Sequence, residues 1–473
     1  MTAGQAGGAA GPRPGLPLRA VLIAVIALYL IAETALAPFL PQLFDRLYGV
    51  DDPGATGLYL WVCRIVGLVA LPLWGLAARR RPLHQLVVAG LCSAAVIDLC
   101  LGFAPSYASY TALSAASVAA NAALLLAYPA FIAEHTRKAA EEQSDPEHAE
   151  LAAVCSFVAV FHLAAVAATL VGAGVLALPD PRLGVSAFAV VDVLLAVLIL
   201  RVLRRLPAAE KAAEKAAEKA AEKAAEKNER KPQAAPARPA RLTRGRWLLL
   251  AQAALIGVAF DFALAVARPF FTEFAEGLGS GSMGGAVLFF LPSVGALVTL
   301  PLVRRCHDRF GRRLLPTAAV VCAAGFVWQY AADGLPALVG GRLLAGLGLG
   351  LAQVAVEMRQ FHSTGTAGPA FTAVETVRSA GLLAAPLVAA AAASRDLALP
   401  LTVAAVALVC VSVASLARPA VPGSAPAPLV DAPLPTPRPQ PDRTLVTVPA
   451  DASAPAPVSA HQHPHAHVKE YDR

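Results

Sequence analysis

Long apolar runs alternate with short polar connections over most of this chain. A helix needs about 20 apolar residues to cross a bilayer core, and runs of that length predict helices near 19–40, 57–77, 84–104, 107–132, 150–177 and 185–205. A second set is predicted near 246–270, 283–303, 314–332, 336–357, 370–393 and 397–417. The runs are built from Ala, Leu, Val and Gly without the alternation of barrel strands. Pro105, Pro179 and Pro336 fall at run ends, while Pro72 and Pro386 are internal. Internal prolines are tolerated where neighbouring helices re-satisfy the freed carbonyls. The expected fold class is therefore an all-α membrane protein of twelve transmembrane helices.

Composition agrees. Of 473 residues, 57% are hydrophobic and only 15% charged, too few charges to cover a soluble body of this length. The net charge of +7 does not point to nucleic acid, because much of it lies in short loops between apolar runs. Arg79, Arg80 and Arg81 follow the second run, and Arg304, Arg305, Arg309, Arg312 and Arg313 follow the eighth. The alternate loops carry Asp45, Asp51, Asp52, Glu273 and Glu276 beside Arg46, Arg182 and Arg395. The positive-inside rule then places both termini in the cytoplasm, and the Ala-, Gly- and Pro-rich composition suggests a bacterium, with the inner membrane as the expected location. The first run carries Glu33 and lacks a small-residue cleavage site, so it reads as a permanent span. Six of the seven cysteines lie in or at apolar runs and none forms a CxxC pair, which argues against disulfides and zinc.

Three segments stand outside the helices. Residues 1–18 read as a flexible cytoplasmic N-terminus. Between the six-helix sets 19–206 and 246–417 lies a linker, 207–245, with AAEK five times in succession from Ala208 to Lys227. Its strong helix formers predict a semi-rigid helical extension, a tether or a docking platform. The tail, 418–473, is rich in Pro, Ala and Asp without periodicity and is expected to be disordered. Its His461, His463, His465 and His467 alternate, a weak divalent-metal signal set against a merely biased tail.

The two sets look related. Val66-Gly67 and Leu71-Pro72-Leu73 in the second helix match Val294-Gly295 and Leu300-Pro301-Leu302 in the eighth. ETALAPFLPQLFDRLYG in the first helix matches DFALAVARPFFTEFAEGLG in the seventh, and the shared Ala-Leu-Ala sets Glu33 opposite Asp261. Two parallel halves joined by a long inner loop is a transporter plan. Asp308-Arg309-Phe310-Gly311-Arg312-Arg313 is similar to the D-R-x-G-R-R signature of the major facilitator superfamily. The first-half copy, Trp74 to Arg81, keeps a glycine and the bases but has no aspartate. The chain thus resembles that superfamily over roughly 18–418. The resemblance implies two pseudo-symmetric six-helix bundles, alternating access, and a conformational-switch role for Asp308, Arg309, Gly311, Arg312 and Arg313. Arg342 to Gly348 is similar to the family's R-x-x-x-G-x-G element, here in helix ten rather than four. The Gly-Pro-x-x-Gly-Gly and Pro-Glu-Ser-Pro-Arg elements of two subfamilies are missing.

A charge at mid-bilayer is costly and usually faces a cavity and a partner. The candidates for substrate or proton are Glu33, Arg64, Asn121, His162, Asp261, Arg268, Glu375 and Arg378, with Asp98, Asp192 and Glu357 ranked lower. A carboxyl in apolar surroundings keeps its proton to higher pH. Glu33 and Asp261 are therefore the leading proton carriers, against a plain structural bond between helices. Arg64 needs a counter-charge, Glu33 or an anionic substrate. Glu375 and Arg378, at i and i+3, can pair with each other. His162 is either a relay or a packing histidine.

Gly346-x-Gly348-x-Gly350 lies inside an apolar helix, where close packing explains it better than a phosphate loop. No Walker lysine, H-E-x-x-H or G-x-S-x-G motif is present, so no enzyme activity and no cofactor are expected. The expected function is proton-coupled efflux of a small organic solute by a monomer in the lipid bilayer. The alternatives are uptake of an anionic nutrient, or a non-transporting sensor or scaffold acting through the linker and tail.

Overall fold

Every regular element among the described residues is a helix. The computed structural model describes residues 18–78, 80–81, 83–125, 146–201, 244–364 and 369–417. Most of the linker, the tail and the alternate histidines lie outside them. The helices are α1 (Leu18–Thr34), α2 (Leu40–Tyr48), α3 (Pro53–Ala78), α4 (Leu83–Leu101), α5 (Tyr107–Leu125), α6 (Pro146–Ala177) and α7 (Pro181–Arg201, with a turn at Ala187). After the linker come α8 (Arg244–Val266), α9 (Phe271–Gly277), α10 (Gly281–Thr299), α11 (Val303–Phe310), α12 (Leu314–Tyr330), α13 (Leu335–Thr364), α14 (Pro369–Gly381), α15 (Ala384–Ala393) and α16 (Leu399–Leu416).

Among the described residues nine helical stretches are long and apolar enough to cross a membrane, and one of them, Gly281–Tyr330, runs through three consecutive helices, α10, α11 and α12. The described part of α5 carries Ser109, Ser114, Ser117 and Asn121, and only Gln85–Leu101 of α4 is apolar, so both fall below that mark. The outer surface is apolar. On α16, Val406, Val409, Val413 and Leu416 are exposed while Ala404, Ala405, Leu408 and Val411 are buried. A soluble helix shows the reverse, so this stripe suits lipid.

Small residues set the helix spacing. A Cβ on Gly346 would lie 2.6 Å from the Pro292 carbonyl oxygen of α10, and one on Gly350 would lie 2.7 Å from that of Ala296. One on Gly348 would lie 2.4 Å from the Cys322 nitrogen of α12. The triplet therefore seats α13 against two helices at once, as the packing reading expected.

The structure departs from the expected boundaries where polar or proline residues meet tertiary partners. The helix expected over 19–40 ends at Thr34; a 3-10 turn over Ala37–Phe39 leads into α2. Pro38 and Pro41 lack the amide donors that a continuous helix would use. The helix expected to stop at 357 continues to Thr364, because Glu357 and Gln360 find partners inside the protein.

The α1 break has a counterpart after α8. Phe39 caps α2 at φ −112°, ψ 6°, and Phe270 caps α9 at φ −110°, ψ 6°. The repeated Pro-Phe, Pro38-Phe39 and Pro269-Phe270, fixes a register for the first helices of the two sets. On it Glu33 stands opposite Leu264, and Asp261 lies three residues earlier, about 4.5 Å along the helix. The Ala-Leu-Ala register that set Glu33 opposite Asp261 is thus corrected by nearly one turn.

Candidate functional site

Helices before and after the linker meet along a seam. α6 packs on α10 and α13, and α3 packs on α15. At one end Thr272 Oγ1 donates to the Pro38 carbonyl at 2.5 Å, and Phe39, Ala173 and Ala286 form a small apolar cluster. Further along α6, Leu151, Val154 and Val158 pack on Val303, Val354 and Met358.

Charged side chains from both sides face one another at this seam. Arg64 of α3 lies within electrostatic reach of Glu33 and Asp261. Arg268, in the α8–α9 break, lies within reach of Arg64 and Asp261. Glu33 in turn reaches Arg64 and Asp98. Glu33, Arg64 and Arg268 are all exposed, although protein atoms surround each of them. None of the three has a direct ion pair among the described residues; the ion pairs described belong to Arg378.

Arg378, only 8% exposed, is the opposite case. Its Nε and Nη2 grip Asp261 at 2.8 and 3.1 Å, Nη2 reaches Glu357 at 3.1 Å, and Nη1 reaches Glu375 at 2.9 Å and the Gln360 amide oxygen. These five bonds match the five N–H donors of a guanidinium. The expected Glu375–Arg378 pair is present, but it is one spoke of a hub joining α8, α13 and α14. Asp261, expected as a free proton carrier, is held bidentately by Arg378. The aliphatic part of Arg378 fills the space that a Cβ on Gly257 would need, 2.7 Å from Arg378 Cδ.

His162 on α6 is 1% exposed and reaches Arg268 and Gln353, yet neither ring nitrogen nor Gln353 Oε1 has a partner of hydrogen-bonding geometry. Asn121 Oδ1 is likewise buried without a partner. Asp308, Arg309, Gly311, Arg312 and Arg313 lie together and exposed at the α11 end, away from the seam charges. Gly311 there has φ +47° and ψ −122°, a conformation essentially restricted to glycine, which accounts for the glycine of that motif.

Sequence reasoning missed three features. Gln353, Glu357 and Gln360 recur at i, i+4 and i+7 on α13, a polar stripe that helical periodicity could have revealed. Asp98 and Asp192, ranked low as peripheral, face each other. Arg342, at the head of the R-x-x-x-G-x-G element, donates from Nε to Leu288 O at 2.8 Å and from Nη2 to Phe289 O at 2.6 Å, with its guanidinium 3.8 Å over the Phe271 ring. Pro292, four residues after Leu288, has no N–H to offer that carbonyl. Arg342 thus satisfies a carbonyl that the proline leaves free inside a continuous helix.

The end carrying Thr272 also has a cavity of about 500 Å³ lined by Gln42, Asp45, Arg46, Asp51, Leu176, Glu273, Glu276 and Ser282. It contains none of the expected site residues. Arg46 is occupied by the Leu176, Leu178 and Pro179 carbonyls that end α6. Burial, with Glu276, Asp45 and Asp51 nearby, pushes the Glu273 carboxyl up to about 7.

Among the described residues no group of three His, Cys, Asp or Glu side chains could hold a metal. No curated protein matches the sequence. Residues 22–386 match the family described as Major Facilitator Superfamily.

Proposed function

This chain belongs to the Major Facilitator Superfamily, a family of secondary transporters of small molecules across membranes, and from that premise we propose that it is a proton-coupled importer of a small organic solute bearing an anionic group. The family is generally non-enzymatic. In this reading twelve helices cross the inner membrane of a bacterium in two six-helix halves, both termini are cytoplasmic, and a monomer is the working unit.

The observation that carries the substrate class is the pair Arg64 and Arg268. They lie within reach of each other across the seam, each is exposed, and neither is neutralised by a direct ion pair among the described residues. Two like charges held together in a low-dielectric interior favour an anion between them. Glu33, the carboxyl in reach of Arg64, competes for that arginine when ionised and releases it when protonated. Proton and anion thereby load together, as symport requires. Protonation of Glu33 from outside would free Arg64 for a solute entering from the same face, and rocking of the two halves would carry both inward. The exposed Asp308–Arg313 loop is the switch between the two states.

The test is solute profiling of cells and medium in a deletion strain and an overexpressing strain. Uptake predicts an anionic compound that accumulates inside the overexpressing cells and stays in the medium of the deletion strain. A rise of that compound in the medium on overexpression would instead establish export. Deleting 208–232 and the tail should leave most transport intact; loss of all function would favour a scaffold.

A further inference from the structure

Asp98 on α4 and Asp192 on α7 sit apart from the seam, and the proposed transport cycle does not use them. Asp192 is 2% exposed, and its Oδ2 is buried without a donor. The carboxyl of Asp98 faces it at hydrogen-bonding approach. Ser117 on α5 faces Asp98 from the other side. The remaining titratable groups around the pair are Glu33 and Tyr29 on α1 and Tyr110 on α5. All of these are neutral or negative. Neither aspartate has an ion-pair partner among the described residues, and no arginine or lysine stands beside them as Arg378 stands beside Asp261.

Chemistry narrows the state of such a pair. Ionised carboxylates only accept hydrogen bonds, so two of them cannot bond to each other, and two adjacent charges without a cation in an apolar interior are prohibitively costly. One proton between the two oxygens removes both problems: the protonated acid donates and the carboxylate accepts, in a short charge-assisted bond. A second proton would replace the short charge-assisted bond by ordinary neutral ones, and it would have to be taken up at a pH where carboxyls are normally ionised.

We propose that Asp98 and Asp192 form a buried proton-binding site that holds one shared proton at neutral pH. The site is linked to the seam, since Tyr29 lies within reach of both Glu33 and Asp192 and Glu33 within reach of Asp98. A proton on the pair halves the negative charge behind Glu33 and so favours its ionised, Arg64-facing form. Loss of that proton does the reverse. The pair is thus a second proton station behind the one at the seam.

The test is infrared difference spectroscopy of the purified full-length protein in lipid nanodiscs at pH 7, in H₂O and D₂O, comparing wild type with the double variant Asp98→Asn/Asp192→Asn. The paired amides can still bond to each other, which favours a folded variant. The expected difference is the loss of one protonated-carboxyl band, shifting in D₂O, together with one carboxylate band. Loss of two carboxylate bands, or of two protonated bands, would overturn the shared proton. If the double variant does not fold, Asp192→Asn alone serves. Sharing then predicts loss of the protonated band only, and loss of a carboxylate band alone contradicts it. No solute or gradient enters the measurement, so its outcome is separate from that of the transport assay.

Discussion

Arg64 and Arg378 are both arginines inside an apolar helical body, and they are arranged in opposite ways. Arg378 has all five donors engaged by Asp261, Glu357, Glu375 and Gln360, is nearly inaccessible, and ties three helices together. Arg64 is accessible, is flanked at longer range by Glu33, Asp261 and Arg268, and lacks a saturating partner. A saturated charge has no donor left for a ligand and serves as a joint. An unsaturated one, kept hydrated, is free to exchange partners. The comparison teaches that charge within an apolar run is only a first filter, and that the donor count separates scaffold from working site.

The sharpest way to break this contrast is Arg378→Leu. Removing the cation leaves Asp261, Glu357 and Glu375 clustered without compensation, and a lost buried partner costs about 3–5 kcal/mol. Thermal unfolding in detergent should show a large drop or failure to fold. Arg64→Gln should act on the other axis. Transport should fall roughly tenfold or more, the equivalent of ~1.4 kcal/mol of binding, while the unfolding midpoint stays near wild type. Equal loss of stability in both variants would erase the distinction.

Smaller effects sharpen it. The Glu375 side chain is 40% exposed, so Glu375→Gln removes a screened spoke of the hub and should cost about 0–1 kcal/mol. Glu273 offers a pH readout at the seam. Its carboxyl, raised from 4.5 to about 7, holds a proton in the folded protein over a range where the unfolded chain has released it. Stability therefore falls as pH rises through roughly 4.5 to 7. Glu273→Gln should flatten that slope, and an unchanged pH profile of unfolding would remove Glu273 as its source.

Much of the fold was legible in the chain. The length and apolarity of the runs predicted the helices, and the internal prolines were correctly placed within helices or at their breaks. What was missed depended on partners far away in sequence. Glu357 and Gln360 look like the polar end of a helix until Arg378 is seen to bond both, so the helix was ended too early. Arg342 was noted only as part of an element out of its usual helix; its use by the carbonyls around Pro292 appears only when α10 and α13 are packed. The repeat was detectable, but Ala-Leu-Ala is common in apolar helices and gave the wrong register. The matched backbone at Phe39 and Phe270 gives the right one. Glu33 and Arg64 stand out as candidates from charge and position alone, because an isolated charge in an apolar run needs no tertiary detail to be noticed.

The central claim is that Arg64 and Arg268 border water inside the seam. It is tested most directly by Arg64→Cys and Arg268→Cys, with Val406→Cys on the lipid-facing stripe as a reference, in a chain whose seven native cysteines are replaced. The reagent is a charged, lipid-insoluble methanethiosulfonate applied to inner-membrane vesicles and whole cells. Reaction at the two seam positions, slowed by an anionic solute and absent at the Val406 position, is the predicted result. Seam positions as inert as the Val406 position on both faces of the membrane would contradict it.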